Sequence, residues 1–216
     1  RFFVSRGDDV YGLSRNDSRL KHLLLYENFT FDLMQMNKVQ LLEEKILNFH
    51  PNVVIHTAWA GANSNEDTES TLQLEYGFNS LKLLKIIQKL KNITFVCMGS
   101  TAEYGDCKKP HVWQESDSEA PSSWYGISKY FFNISSEKFC KENSLNWLWV
   151  RPCFVYGEGD VETRLIPKVI NSCLKNTDLT LNSCNSVVDY LYIEDFVDAL
   201  VKLIDQKSIG LYNISS

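Results

Sequence analysis

The sequence predicts a doubly wound α/β fold, a parallel sheet with helices packed on both faces. Three observations predict it. Short apolar runs alternate with longer amphipathic stretches over residues 1–157, and strands alternating with helices imply parallel pairing. Ser14, Asp32, His56, Ser100 and Pro152 all fall at the carboxyl ends of those runs, where such sheets take their ligands. Beyond Gly157 the pattern changes, as at the start of a second lobe.

Taken in order, Arg1-Phe2-Phe3-Val4 reads as the end of an amphipathic helix closed by Gly7. Residues 9–15 read as a short strand and its exit, and 28–33 as a second strand. Residues 39–49 carry helical periodicity that stops before Pro51, and Val53-Val54-Ile55 is a compact strand. Residues 68–90 form a long helix with Leu72, Tyr76, Leu83, Leu84 and Ile87 on its apolar face. Residues 93–98 are a strand leading into Gly99-Ser100-Thr101, and 124–143 a helix. Residues 145–155 are a strand interrupted near its end by Pro152. Residues 165–174 and 194–204 read as helices, 187–193 as an extended run, and 210–214 as a last strand.

Bulk properties narrow the function. The chain has 216 residues, enough for one domain with a small added lobe. Hydrophobic residues are 44% and charged residues 23%, an ordinary globular balance, and the net charge of −5 offers no basic field for nucleic acid. No apolar run approaches the roughly 20 residues needed to cross a bilayer. The six cysteines are scattered without a C-x-x-C pair, so no metal site is expected and a reducing, cytoplasmic setting is.

The stretch with most chemistry is Trp124-Tyr125-Gly126-Ile127-Ser128-Lys129. Tyr125 and Lys129 are four residues apart, which on a helix places them on one face. An ammonium near a phenol favours the phenolate and lowers its pKa, so that the tyrosine can exchange a proton with a substrate oxygen. Spacing alone is weak evidence, because Tyr104 and Lys108 share it in a turn-rich stretch before Pro110.

Four segments in order resemble the extended short-chain dehydrogenase/reductases, the NAD-dependent epimerase/dehydratase family of nucleotide-sugar enzymes. Residues 99–105, Gly-Ser-Thr-Ala-Glu-Tyr-Gly, resemble its serine/threonine segment, with Ser100 lying 25 residues before Tyr125. Tyr125 and Lys129 are the second match, and Arg151-Pro152-Cys153-Phe154-Val155-Tyr156-Gly157 resembles its R-P-x-x-V-Y-G segment. Residues 188–195 resemble R-D-[FY]-[IV]-[HY]-V-x-D. The resemblance implies a Rossmann-like domain over 1–157 and a partial substrate lobe over 158–216, interleaved with the last sheet elements. It implies hydride exchange between a nicotinamide and a sugar carbon, with Tyr125 moving the proton. Lys129 would hold the nicotinamide ribose, and Ser100 would bind the sugar oxygen; a loop-capping role for Ser100 is the alternative.

The resemblance also assigns the cofactor cleft. Asp32 and Leu33 match the adenine-contacting pair, Ala58 the H-x-A-[AG] strand (with Trp59 departing at its last position), and Pro152 the end of a later strand. At Ser14-Arg15, an arginine accommodates a 2′-phosphate where an acidic residue would bind a 2′-hydroxyl. NADP is therefore favoured over NAD, against the plainer reading of Arg15 as a surface residue. Substrate contacts fall to Ser100, Thr101 and Arg164, the last substituting for an arginine that is Val188 here.

Two departures shape the expectation further. The glycine-rich G-x-x-G-x-x-G turn does not occur in the sequence, so the first and central strand of the sheet is expected to be missing and the chain to be a fragment. Thr101-Ala102 stand where 4,6-dehydratases carry Asp-Glu, which argues against dehydration. The expected reaction is NADPH-dependent reduction of a nucleotide-linked 4-keto-6-deoxy sugar at C4. The alternatives are an NAD-dependent nucleotide-sugar 4-epimerase and a catalytically silent NAD(P)-binding module. The resemblance also implies a homodimer through the 68–90 and 124–143 helices.

Overall fold

A computed structural model describes residues 1–17, 20–59, 68–106, 111–181, 185 and 187–216. Lys108 of the second tyrosine–lysine pair, Cys107 and Cys184 lie outside the described residues. The central element is a four-stranded parallel sheet in the order β3-β4-β5-β8. Its strands are β3 (Val53–His56), β4 (Thr94–Met98), β5 (Asn146–Pro152) and β8 (Gly210–Ile214). Side chains alternate across it, as strand geometry requires. Phe95, Cys97 and Trp149 enter one core, while Val96, Leu148 and Val150 enter the other.

Helices cover both faces. On the first lie α3 (Leu72–Ile87) and α4 (Trp124–Glu142), which contribute Leu83, Leu84, Ile87, Phe132 and Cys140. On the second lies α6 (Ile193–Asp205), which contributes Phe196, Leu200 and Ile204. This is the doubly wound arrangement expected from the sequence. β8, from the last part of the chain, pairs with β5 from Leu148↔Gly210 to Pro152↔Ile214. The carboxyl-terminal segment therefore completes the main sheet.

The amino-terminal part is a separate unit. α1 (Phe2–Arg6) leads into β1 (Val10–Ser14), which pairs in parallel with β2 (Phe29–Leu33) over a small core of Val4, Leu23 and Phe29. Among the described residues no strand joins β1 to β3. Instead Val10–Leu13 and Val53–Ile55 face each other across a cavity of about 980 Å³. That slot is where the resemblance implies the central strand of the family's sheet.

Several elements differ in extent from the reading of the sequence. Residues 39–49 are not one α-helix: a 3₁₀ segment, Met36–Leu42, precedes α2 (Glu43–Phe49). The 3₁₀ segment and α2 bury Val39, Leu42 and Ile46 together, so an α-type pattern spans two helix types. Lys21–Leu25 is a 3₁₀ segment that the sequence did not announce. The run 145–155 splits after Pro152, and β6 (Phe154–Tyr156) leaves the main sheet to pair with β7 (Tyr190–Tyr192). α5 (Leu165–Lys175) has no buried residue.

Phe132 is the keystone of the first face. It is fully buried and its ring lies 5.4 Å from His56, 5.8 Å from Trp149 and 6.1 Å from Trp59, centroid to centroid. Phe132→Ala is expected to cost about 3–5 kcal/mol of folding stability, measured by denaturant unfolding.

Candidate active site

Two local structures bring Ser100 and Tyr125 together. Ser100 is the N-cap of a single 3₁₀ turn, Thr101–Glu103, at the end of β4. The turn is closed by a capping box: Ser100 Oγ accepts from the Ala102 N–H at 3.2 Å, and Glu103 Oε1 accepts from the Ser100 N–H at 2.8 Å. α4 starts opposite it, capped by Ser123 Oγ, which accepts from the Gly126 N–H at 3.1 Å. Gly126 lies against the turn so closely that a Cβ there would be 2.4 Å from the Ala102 carbonyl oxygen. Glycine at this position lets the helix start dock on the serine segment. Across that contact the Ser100 hydroxyl acts on the Tyr125 phenol.

Lys129 follows one turn later and is buried, at 3% exposure. Its ammonium donates to the Met98 carbonyl oxygen at 2.7 Å and lies 3.8 Å from the centre of the Trp59 ring, but 5.8 Å from the Tyr125 ring. A carbonyl and an aromatic face stabilise an ammonium less than a carboxylate does. Burial accordingly pushes the Lys129 pKa down from 10.5 to about 8. Tyr125 departs from the sequence expectation. Burial raises its pKa, and the groups opposing the rise are the Ser100 hydroxyl and the positive charge of Arg164, rather than Lys129. The reason is geometric: the Lys129 ammonium is turned toward the end of β4.

The remaining sequence-named residues fall at strand ends or helix starts. Ser14 ends β1, where its hydroxyl donates to the Asn16 carbonyl oxygen at 2.7 Å, and Arg15 beyond it is exposed. Asp32 and Leu33 end β2; Leu33 is exposed, while Asp32 accepts from Tyr11 Oη at 2.6 Å and from Lys45 Nζ at 2.7 Å. Ala58 lies exposed just past β3, and Pro152 ends β5 opposite Ile214. Thr101 is half-buried in the serine turn. Arg164 caps α5 and pairs with Asp160 at 3.3 Å. Tyr104, the decoy tyrosine, is a buried structural residue that donates to Asn213 Oδ1 at 2.9 Å. His56 is buried and held neutral, its pKa lowered to about 3 chiefly by burial.

Sequence reading missed a buried polar network beneath the site. The Glu103 carboxylate is fully buried and accepts four hydrogen bonds. Oε1 takes the Ser100 N–H at 2.8 Å and Trp149 Nε1–H at 3.0 Å, while Oε2 takes Asn133 Nδ2–H at 2.8 Å and Arg151 Nε–H at 2.9 Å. Arg151, also fully buried, reaches on to Glu119 at 2.7 Å. The available signal was the serine–x–x–glutamate spacing of a capping box. Trp59, noted as a departure, is the ring that covers Lys129.

A strand-end serine, a helix-borne tyrosine set against it and a buried lysine one turn on lie together on a Rossmann-type fold. A model of the NAD dependent epimerase/dehydratase family matches residues 1–215, and the chain belongs to that family. Among curated proteins, the chain is 25% identical over 192 residues to the CDP-abequose synthase of Salmonella muenchen, covering 87% of this chain and 60% of that protein. It is 25% identical over 217 residues to the dTDP-D-glucose 4,6-dehydratase of Dictyostelium discoideum, covering 93% of this chain and 49% of that protein. The chain thus spans about half to three-fifths of these relatives' length. Among solved structures, the UDP-glucose 4-epimerase of Thermotoga maritima, with UDP-glucose, superposes with a TM-score of 0.86 at 22% identity, over 100% of this chain and 71% of that one. The dTDP-glucose 4,6-dehydratase of Bacillus anthracis, with NAD, gives 0.86 at 21% identity, over 99% and 69%.

The lysine supplies a test of the electrostatics. The folded chain binds the Lys129 proton more weakly than the unfolded chain does. Unfolding therefore takes up a proton between about pH 8 and 10.5, and this lysine's contribution makes stability rise with pH across that window. Lys129→Met is expected to add about 2 kcal/mol of stability at pH 7. It should also remove this pH-dependent rise, as read from denaturant unfolding at pH 7 and pH 9.

Proposed function

We propose that the protein carrying this sequence is a nicotinamide-dependent enzyme acting on a nucleotide-linked sugar. The favoured reaction is NADPH-dependent reduction of a 4-keto-6-deoxy sugar at C4. The observation that carries the reading is the docking of the Ser100 turn on the start of α4, which sets Ser100 against Tyr125 next to a buried Lys129 at the carboxyl end of the sheet. The residues fit a nicotinamide cofactor: the described contacts of Lys129 are a carbonyl and an aromatic face, which leaves a buried ammonium able to bind ribose hydroxyls. We assign Ala58 and Pro152, both at strand ends, to the same cofactor, with Ser14, Arg15, Asp32 and Leu33 as the adenosine-side residues. When bound, the nicotinamide supplies the hydride.

The chain's own residues handle the proton and the oxygen. Tyr125 gives its phenolic proton to the C4 oxygen as charge develops there. Its raised pKa keeps the phenol protonated and ready to donate at neutral pH. Ser100 donates a hydrogen bond to the same oxygen, which strengthens as the oxygen becomes negative. Thr101-Ala102 offer no second acid and base, so dehydration is disfavoured. Arg164, whose charge acts on Tyr125, is the residue we assign to the substrate diphosphate. Arg15 favours NADP. We also read residues 1–157 as the cofactor domain and 158–216 as part of the substrate lobe. Exposed Leu72, Phe78 and Ile134 on α3 and α4 support a homodimer through those helices.

Two measurements on the full-length gene product test this. Incubation with a nucleotide-linked 4-keto-6-deoxy sugar should oxidise one NADPH per sugar reduced, followed at the nicotinamide absorbance. Turnover without added cofactor would instead mark a 4-epimerase. Tyr125→Phe should lower kcat by about 10²–10⁴-fold while NADPH binding persists. Unchanged physiological activity in that variant would mark a silent NAD(P)-binding module.

A further inference from the structure

We propose that Glu103 is a positioning residue of the active site: it fixes Ser100 through the Ser100 main-chain N–H, and so sets where the serine hydroxyl meets Tyr125 and the substrate oxygen. This rests on the catalytic reading of Ser100 and Tyr125. The carboxylate is fully buried and its four bonds run to three different structural elements. Ser100 belongs to the serine turn, Trp149 and Arg151 to β5, and Asn133 to α4, the helix that carries Tyr125 and Lys129. One side chain thus ties the turn bearing Ser100 to the helix bearing Tyr125 and to the strand between them and β8.

The surroundings are shaped for this carboxylate. A Cβ at Gly99 would lie 2.5 Å from Glu103 Oε1 and 2.2 Å from Trp149 Nε1, so glycine there keeps the carboxylate–indole bond free of obstruction. Four donors from four residues satisfy an ionised carboxylate and would not satisfy an amide, which must present its own N–H₂ to donors. A buried charge is costly unless paired and bonded in this way. A turn needing only a cap could use an exposed glutamate. Burial of this one, with Arg151 as counter-charge, couples the turn to the helix bearing Tyr125. Its negative charge also acts on the Tyr125 phenol.

The test is a double-mutant cycle in the full-length gene product, with kcat, substrate KM and NADPH binding by fluorescence measured for Glu103→Gln, Ser100→Ala and the double variant. Glu103→Gln should lower kcat by about 100-fold with KM and NADPH affinity within about threefold of the parent. In the Ser100→Ala background it should cost nothing further, because the hydroxyl it positions is gone. Independent, multiplying losses would overturn the proposal, as would an unchanged kcat for Glu103→Gln when Ser100→Ala is impaired. If Glu103→Gln fails to bind NADPH, Trp149→Phe, which removes one donor to Oε1, carries the test. Its expected loss is about tenfold and is again absent without Ser100; a loss that persists without Ser100, or an unchanged kcat, overturns the proposal. If Ser100→Ala and Tyr125→Phe both leave activity intact, the catalytic reading itself has failed, a result distinct from additivity in the cycle.

Discussion

A single buried carboxylate holds the working part of this molecule together. Glu103 receives hydrogen bonds from a turn, a helix and a strand, and its partner Arg151 extends the network to Glu119 in the loop before α4. Removing any one donor or acceptor from such a network leaves the others buried and unpaired, which costs more than the bond itself is worth. The sheet supplies the frame. β4 and β5 place their large side chains alternately on two cores, and the carboxyl ends of both strands arrive at the same edge.

The site then follows from how two chain segments meet. Gly126 lets the start of α4 rest on the Ser100 turn, Ser123 caps the helix, and the helical repeat carries Lys129 down to the end of β4. The lysine remains charged at neutral pH in a setting that does not favour charge, held by a carbonyl and covered by Trp59. The charge costs stability, since an apolar side chain of the same length would fill the space at lower cost.

Much of this was legible in the sequence where the signal was local or periodic. The strands β4 and β5, the α4 helix and the strand-end position of Ser100 follow from short apolar runs, a period-3.6 pattern and turn residues. The Tyr125–Lys129 pair was placed on one helix face by spacing alone. The direction of the Lys129 ammonium was not legible, because it depends on where the end of β4 lies in space. The same holds for Glu103: its capping-box spacing was visible, but its three other donors come from residues 30–48 positions away. The split at Pro152 was half legible: the proline marked an interruption, but the pairing of Phe154–Tyr156 with Tyr190–Tyr192 is a long-range choice.

The slot between β1 and β3 separates two sheets. Among the described residues no backbone ladder crosses it. The β1–β2 pair is joined to the rest by side-chain packing of Tyr11, Leu13, Met34 and Met36, and by ion pairs between Asp32 and Lys45 of α2 and between Arg6 and Asp205. Exposed pairs of that kind contribute little. Ser14, Arg15, Asp32 and Leu33 lie on the β1–β2 side of the slot, whereas Ser100, Tyr125 and Lys129 lie on the main sheet and its helix. The residues read as facing the adenosine and those read as moving the proton thus sit on different sheets, joined through side chains.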